Sequence, residues 1–234
     1  MELPRILIDR LPEDLPAEAV TACLSLTGGL GEAHVVAGEG RLVGFVKASA
    51  LGGLTRVDLD PRDPPRVETV QWQPVLTLRG LDGAVHHAPL PTMGQDRVRA
   101  QIAELYRALG ADDALRALYA GALAEARRAD EVNALRFELA QVCERVAPAE
   151  AVAQYAALLD ALPRHEGARA GLERLQAAGV ALDRAEARLL ALYRQVGDFA
   201  AAVALLRAQT ARLTEPSARF AHLVEIATLC ERRL

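Results

Sequence analysis

Adjacent histidines, His86 and His87, are the first side chains in this sequence whose type could do chemistry, as metal ligands or as proton carriers. Neighbours on an extended strand point to opposite faces, however, so the two rings cannot easily close on one ion. His34, His165 and His222 are scattered and read as ordinary surface or core side chains. Cys23, Cys143 and Cys230 are widely spread, with no C-x-x-C and no tight Cys/His cluster, so zinc ligation and a disulfide framework are both poorly supported. No basic neighbour is evident that would lower a thiol pKa. Each cysteine reads as a small hydrophobe: Cys23 on an apolar helix face, Cys143 and Cys230 at a position facing a partner helix. The serines are Ser25, Ser49 and Ser217, none in a G-x-S-x-G setting, and no hydrolase constellation is visible.

Two loops invite a ligand reading and fail on mechanism. "TGGLGEAH" (27–34) has the glycines of a phosphate-gripping loop, but such loops run from strand to helix so that free N–H groups face the anion. Here the expected order is helix to strand, a cap followed by a turn. "DLDPRD" (58–63) has calcium-loop acids but contains a proline and lacks the glycine and distal glutamate, so it reads as a solvated turn. The chain is therefore read as non-enzymatic, with no cofactor and no metal.

The elements that would position any site fall into two kinds of text. Up to about residue 94 the chain is rich in Gly, Pro, Val and alternating patterns; beyond it the text is Ala, Leu, Arg and Glu. The shift places a boundary near Thr92 to Gln95, with a closing helix that carries the first domain to residue 109. In that domain, 1–109, "PAEAVTACLSL" (16–26) is expected to be a short helix with Gly28-Gly29 as its left-handed cap. "EAHVVAGEGRLVGFVKA" reads as strand, Gly-Glu-Gly turn and strand. "LTRVDLD" alternates, with Val57 and Leu59 on one face and Arg56, Asp58 and Asp60 on the other. "PVLTLRGLDGAVHHAPL" reads as a hairpin in which Asp82-Gly83 supplies the positive φ angles of a tight primed turn. "DRVRAQIAELYRAL" then places Val98, Ile102, Leu105 and Leu109 at helical spacing, a face that must cover something apolar.

Composition bounds the function. At 51% hydrophobic and 25% charged the chain belongs with folded proteins, and a 4% aromatic share means a core built mainly from Ala, Leu and Val. Net charge is −4 and Lys47 is the only lysine, so nothing attracts the chain as a whole to a phosphate backbone; nucleic acid is not an expected partner. No apolar run approaches the roughly 18 residues of a membrane span. The N-terminus mixes acid and proline into its apolar residues, unlike a secretory signal, which points to the cytoplasm.

A small antiparallel sheet closed by a C-terminal amphipathic helix, with "GEGRLVGF" (38–45) and "LTLRGLDG" before the closing helix, resembles the bacterial pleckstrin-homology-like fold over residues 30–109. The "DPRDPPR" loop and the early helix depart from its simplest form. The resemblance implies anion or membrane contacts, for which Arg41, Lys47 and Arg56 are the candidates.

From residue 95 onward, apolar residues at helical spacing predict helices at 95–109, 111–129, 131–146, 148–162, 166–178, 183–196, 198–213 and 216–233, with connections short enough to make neighbours antiparallel. Asp198 can cap the helix that follows it, and Asp183 with Glu186 forms a capping-box-like pair. Pro148 and Pro216 suit first helical positions, and Gly197 ends a helix. "FELAQVCER" (137–145) and "VEIATLCER" (224–232) superpose without a gap, Cys230 lying 87 positions after Cys143. Repetition of helix pairs is the mark of a solenoid.

These residues resemble tetratricopeptide repeats over about 112–234. Leu189, Leu190 and Tyr193 match that family's first helix, Gly197-Asp198 its turn, and Ala202 and Leu206 its second helix. An earlier unit carries Leu139, Ala140 and Cys143, then Ala151, Tyr155 and Pro163; residues 166–182 fit only half a unit. The final helix either acts as a cap or leads into further chain, since exposing Leu223, Ile226 and Cys230 would make a sticky edge.

The expected fold class is thus α+β in two domains: a small antiparallel sheet domain closed by a helix, 1–109, and an all-α tetratricopeptide-like solenoid, 110–234. The resemblance implies an adaptor that binds another protein or peptide in a concave groove. The groove positions would be Arg184, Arg188, Arg194 and Gln195, flanked by Glu138, Gln141, Glu144 and Arg145 and by Glu225, Glu231 and Arg232. A solvated helix face is the alternative for any one of them. Two further readings stand behind the adaptor: a peripheral membrane or small-anion binder acting through the first domain, and an enzyme using His86 or His87.

Overall fold

The fold is that of a computed structural model, which describes residues 3–13, 15–28, 31–47, 53–70, 73–90 and 95–233. Contacts divide the chain into two compact units, Met1–Leu118 and Tyr119–Leu234. Gly29, Ser49 and most of the stretch 92–95, where composition shifts, lie outside the described residues.

The first unit is built on two antiparallel sheets. Strands β1 (Ala22–Gly28), β2 (Gly31–Gly38), β3 (Arg41–Lys47) and β4 (Thr55–Leu59) follow one another in a four-stranded sheet. Strands β5 (Arg66–Val70), β6 (Gln73–Arg79) and β7 (Val85–Pro89) form a three-stranded one. One face of the first sheet puts Val36, Val43 and Phe45 against Leu7 of the short helix α1 (Arg5–Ile8) and against Leu15. On the other face lie Leu24, Val35, Leu42 and Val57, all buried. Helix α2 (Gln95–Leu109) packs on β1 and β2, with Ile102 and Leu105 inside and Val98 and Leu109 half-buried, as their spacing requires.

Residues 16–26 do not form the expected helix. Only Ala17–Ala19 makes a single 3₁₀ turn, and β1 begins at Ala22. Alternation decides the matter: Ala22, Leu24 and Leu26 are buried while Cys23 and Ser25 point the other way, a period of two that a helix cannot present. Gly28 is accordingly the last residue of a strand, not a helix cap, and Cys23 sits on a strand. β5 is a second departure: it begins at the last residue of the "DPRDPPR" loop (60–66) and runs through residues for which no element was expected. Arg66, Val67 and Glu68 are all exposed, so the described side chains of this edge strand show no alternation that a sequence pattern could reveal.

The hairpins show two turn chemistries. Between β2 and β3, Glu39 (φ 48) and Gly40 (φ 73) form the doubly left-handed primed turn. Gly38 before it admits no side chain, because a Cβ would sit 2.3 Å from the Ala19 carbonyl oxygen. Between β6 and β7 only Gly83 has positive φ, so Asp82-Gly83 is not the expected two-residue primed turn. The loop is three residues long, closed by Gly83 N–H to the Gly80 carbonyl and Gly80 N–H to the Ala84 carbonyl, with Asp82 accepting from Ala84 N–H.

Seven further helices follow: α3 (Asp112–Glu125), α4 (Ala129–Val146), α5 (Pro148–Ala161), α6 (Glu166–Ala177), α7 (Leu182–Val196), α8 (Phe199–Arg212) and α9 (Pro216–Arg233). From α4 to α9 each packs on the next, and α4 also touches α6 and α5 touches α7. Pro148 and Pro216 occupy first helical positions. Gly197 closes α7 in the left-handed conformation, and Asp198 Oδ1 accepts from Ala201 N–H at 3.1 Å. Asp198→Ala is therefore expected to cost about 1 kcal/mol in a urea melt, and an unshifted midpoint would remove the cap from this account.

The Asp183/Glu186 capping box does not form. Ala181, itself left-handed, stands at the N-cap of α7 with no side-chain bond, and Glu186 is buried instead. Its carboxylate receives Arg212 Nη2 at 2.5 and 2.6 Å, Gln176 Nε2 at 3.2 Å and Gln209 Nε2 at 3.1 Å, joining α6, α7 and α8.

Candidate functional site

The expected groove residues lie on α4, α7 and α9, but most of their charge is spent within the helical unit. Arg188 Nη2 stands 2.6 Å from Asp160 Oδ1 on α5, in contact as a charge though not aligned as a hydrogen bond. Arg194 pairs with Glu225 of α9. Glu144 accepts from the Tyr155 hydroxyl and from Arg174 Nη2, the latter at 2.7 Å, tying α4 to α5 and α6. Burial pushes the Glu144 pKa up, and the hydrogen bonds from Arg174 and Tyr155 together outweigh it, leaving the carboxyl below its ordinary value. Arg184, Gln141, Gln195, Arg145 and Glu231 are exposed, while the side chain of Arg232 lies outside the described residues. The sequence had no means of finding Arg174 or Tyr155 as Glu144's partners, since they stand 30 and 11 positions away.

What α4 offers to solvent is a cleft. Asp130, Asn133, Ala134, Phe137 and Glu138 line one wall, and Leu162 and His165 from the α5–α6 connection line the other, around an open space of ≈ 600 Å³. That volume is in the range of ligand sites, but the openness suits side chains of a partner segment better than an enclosed small molecule. Phe137 and His165 form a tilted ring pair with centroids 4.9 Å apart, and His165 Nδ1 accepts from Ala168 N–H, which caps α6 and holds the imidazole in place. Glu138 accepts from the Tyr119 hydroxyl at 3.2 Å. Of the expected groove residues only Glu138 lies in this cleft.

In the first unit the structure assembles two polar lines that spacing did not reveal. Ser25 Oγ is 2.9 Å from His34 Nδ1, and His34 Nε2 is 2.9 Å from Glu32 Oε1, because Ser25 and His34 are directly paired across β1 and β2. The residue types are those of a hydrolase relay, yet His34 is only 1% exposed, which denies it the edge from which to exchange a proton with a substrate. Both ring nitrogens are satisfied, and the line reads as the way a buried imidazole is accommodated. The Cys23 thiol beside Ser25 is raised by burial, the opposite of an activated nucleophile. In the second sheet the Thr77 hydroxyl donates to Glu68 and lies 3.2 Å from His87 Nδ1, so His87 turns toward Thr77 while His86 pairs beside the buried Leu78.

The remaining candidates are not drawn together. Arg41 and Lys47 stand at opposite ends of β3, about 20 Å apart at the rise of a strand, and Arg56 is paired with Asp58 at 2.7 Å. "TGGLGEAH" spans the β1–β2 connection and leads to no helix N-terminus. Arg62 N–H bonds Asp60 Oδ1 in the "DLDPRD" segment, as expected of a solvated turn. No helix among the described residues is long and apolar enough to cross a membrane. Compared with known protein families, with curated proteins and with solved structures, the chain matches none.

Proposed function

We propose that the helical unit is a non-enzymatic, tetratricopeptide-like scaffold that binds a segment of another protein in the cleft between α4 and the α5–α6 connection. The observation that carries this reading is the cleft's composition. Phe137 and the 43% exposed Leu162 give an apolar floor and lip, while Glu138 and Asp130, the latter paired with the exposed Arg128, set carboxylates beside it. A segment presenting an apolar side chain next to an arginine or lysine meets both features, the cation facing the carboxylates and the aromatic ring. The repeated helix sequences and the stacking of α4 to α9 support the scaffold part of the reading.

The test is peptide selection on the full chain followed by variants at exposed positions, which spare the fold. Selected peptides are expected to combine basic and apolar residues. Their affinity should fall at least about tenfold with Leu162→Asp or with Asp130→Arg, the scale of losing one well-placed contact. Selected peptides that bind both variants as tightly as the parent would refute the cleft.

A further inference from the structure

The outer face of α9 presents an apolar stripe: Phe220, Leu223 and Val224 are 68%, 54% and 48% exposed, and Ala227 and Glu231 continue the stripe toward the helix C-terminus. The inner face packs, with Ile226 on Val203 and Leu206 of α8 and Leu229 and Cys230 alongside. What the outer face is shaped to receive can be read elsewhere in the same chain. Helices α4 and α9 are both 18 residues long, and the match of "FELAQVCER" with "VEIATLCER" sets their register. Val224 then answers to Phe137, Ala227 to Ala140 and Glu231 to Glu144.

On α4 the first and last of those positions meet the α5–α6 hairpin, and the one between them is buried. The Phe137 ring lies 6.2 Å from that of Tyr155 on α5 and 4.9 Å from that of His165 at the start of α6. Ala140 is 0% exposed, and Glu144 takes a hydroxyl from α5 and a guanidinium from α6. Those three positions therefore occur twice, enclosed on α4 and exposed on α9; Phe220 and Leu223 answer to Asn133, at the open cleft, and Arg136, and extend the apolar face of α9. Because the hydroxyl and the guanidinium come from two different helices, a single helix does not reproduce the cover. A second copy of this chain cannot lend its own α5–α6 pair, which is already packed on its own α4.

We propose that the outer face of α9 is a docking surface for an α-helical hairpin of a partner protein, one that sets a small residue over Ala227 and brings a cation to Glu231. Charge complementarity names the cation: Glu144 shows the carboxylate at this position meeting an arginine, and Glu231 is exposed to meet one from outside. This surface is separate from the α4 cleft, and neither reading depends on the other.

The probe is the chain's own hairpin. In a variant of this chain that repeats residues 148–178 after Leu234, the appended hairpin is held beside α9 at high effective concentration. Amide exchange along α9 is expected to slow at least about tenfold relative to the parent chain. Adding Glu231→Ala should reverse much of that protection while leaving exchange in the parent chain unaltered. Exchange in α9 that is as fast with the hairpin as without, or an appended segment that stays unfolded, would overturn the proposal. So would a parent chain whose sedimentation shows a dimer abolished by Phe220→Asp, which would assign the face to a second copy.

Discussion

Arg212→Ala is expected to lower the stability of the helical unit by about 2–3 kcal/mol, because it leaves the Glu186 carboxylate buried with two amides and no cation. The Glu186 side chain is 4% exposed and that of Arg212 47%, so the arginine regains water when the pair breaks while the glutamate does not, which holds the expected loss below that of a fully enclosed pair. Replacing both residues with leucine should recover much of it, since no charge is then left behind. The pH dependence follows from the sign of the shift. Burial raises the Glu186 pKa, but the bonds from Arg212, Gln209 and Gln176 outweigh it, so the folded value lies below the ordinary 4.5. Its contribution is therefore complete above about pH 4.5 and is lost as pH falls through the folded value. Urea melts of parent and variant should differ most near neutrality and converge below that point; a gap that widens in acid would contradict the ion-pair account.

Gly171→Ala is the second large effect, and it runs against helix propensity. Alanine in the middle of α6 should gain up to about 1 kcal/mol. A Cβ at 171, however, would lie 2.4 Å from Cε2 and Cζ of the Tyr155 ring. That ring is 0% exposed and its hydroxyl is bonded to Glu144, so it has nowhere to move. The net cost is expected to be about 2 kcal/mol, in the range of overpacked cores. In a Tyr155→Leu background the same substitution should become nearly neutral, which a double-mutant cycle in denaturant reads directly. Additive costs would mean that the glycine answers to something other than the ring.

Helix positions were the most legible part of the sequence. All eight amphipathic segments after residue 94 are helices, with ends within a few residues of those expected, because a period near 3.6 repeated over three or four turns is a strong signal and Pro148, Gly197, Asp198 and Pro216 mark the ends. The first unit was harder. Residues 16–26 hold alanine and glutamate, which favour a helix, and the alternation at 22, 24 and 26 spans too few residues to outweigh them. In β5 the described side chains, Arg66 to Glu68, are all exposed and show no pattern. The candidate site was legible only as to which helices matter. Whether Arg188 and Arg194 face a partner or a neighbour depends on Asp160 and Glu225, which lie on other helices at distances in sequence that no local rule connects.

The order of packing from α4 to α9 has a mechanical consequence. Each of these helices leans mainly on the one or two beside it in the chain. Such an array comes apart like a zipper, fraying from an end while its middle holds, so damage at α9 should loosen α8 long before it is felt at α4.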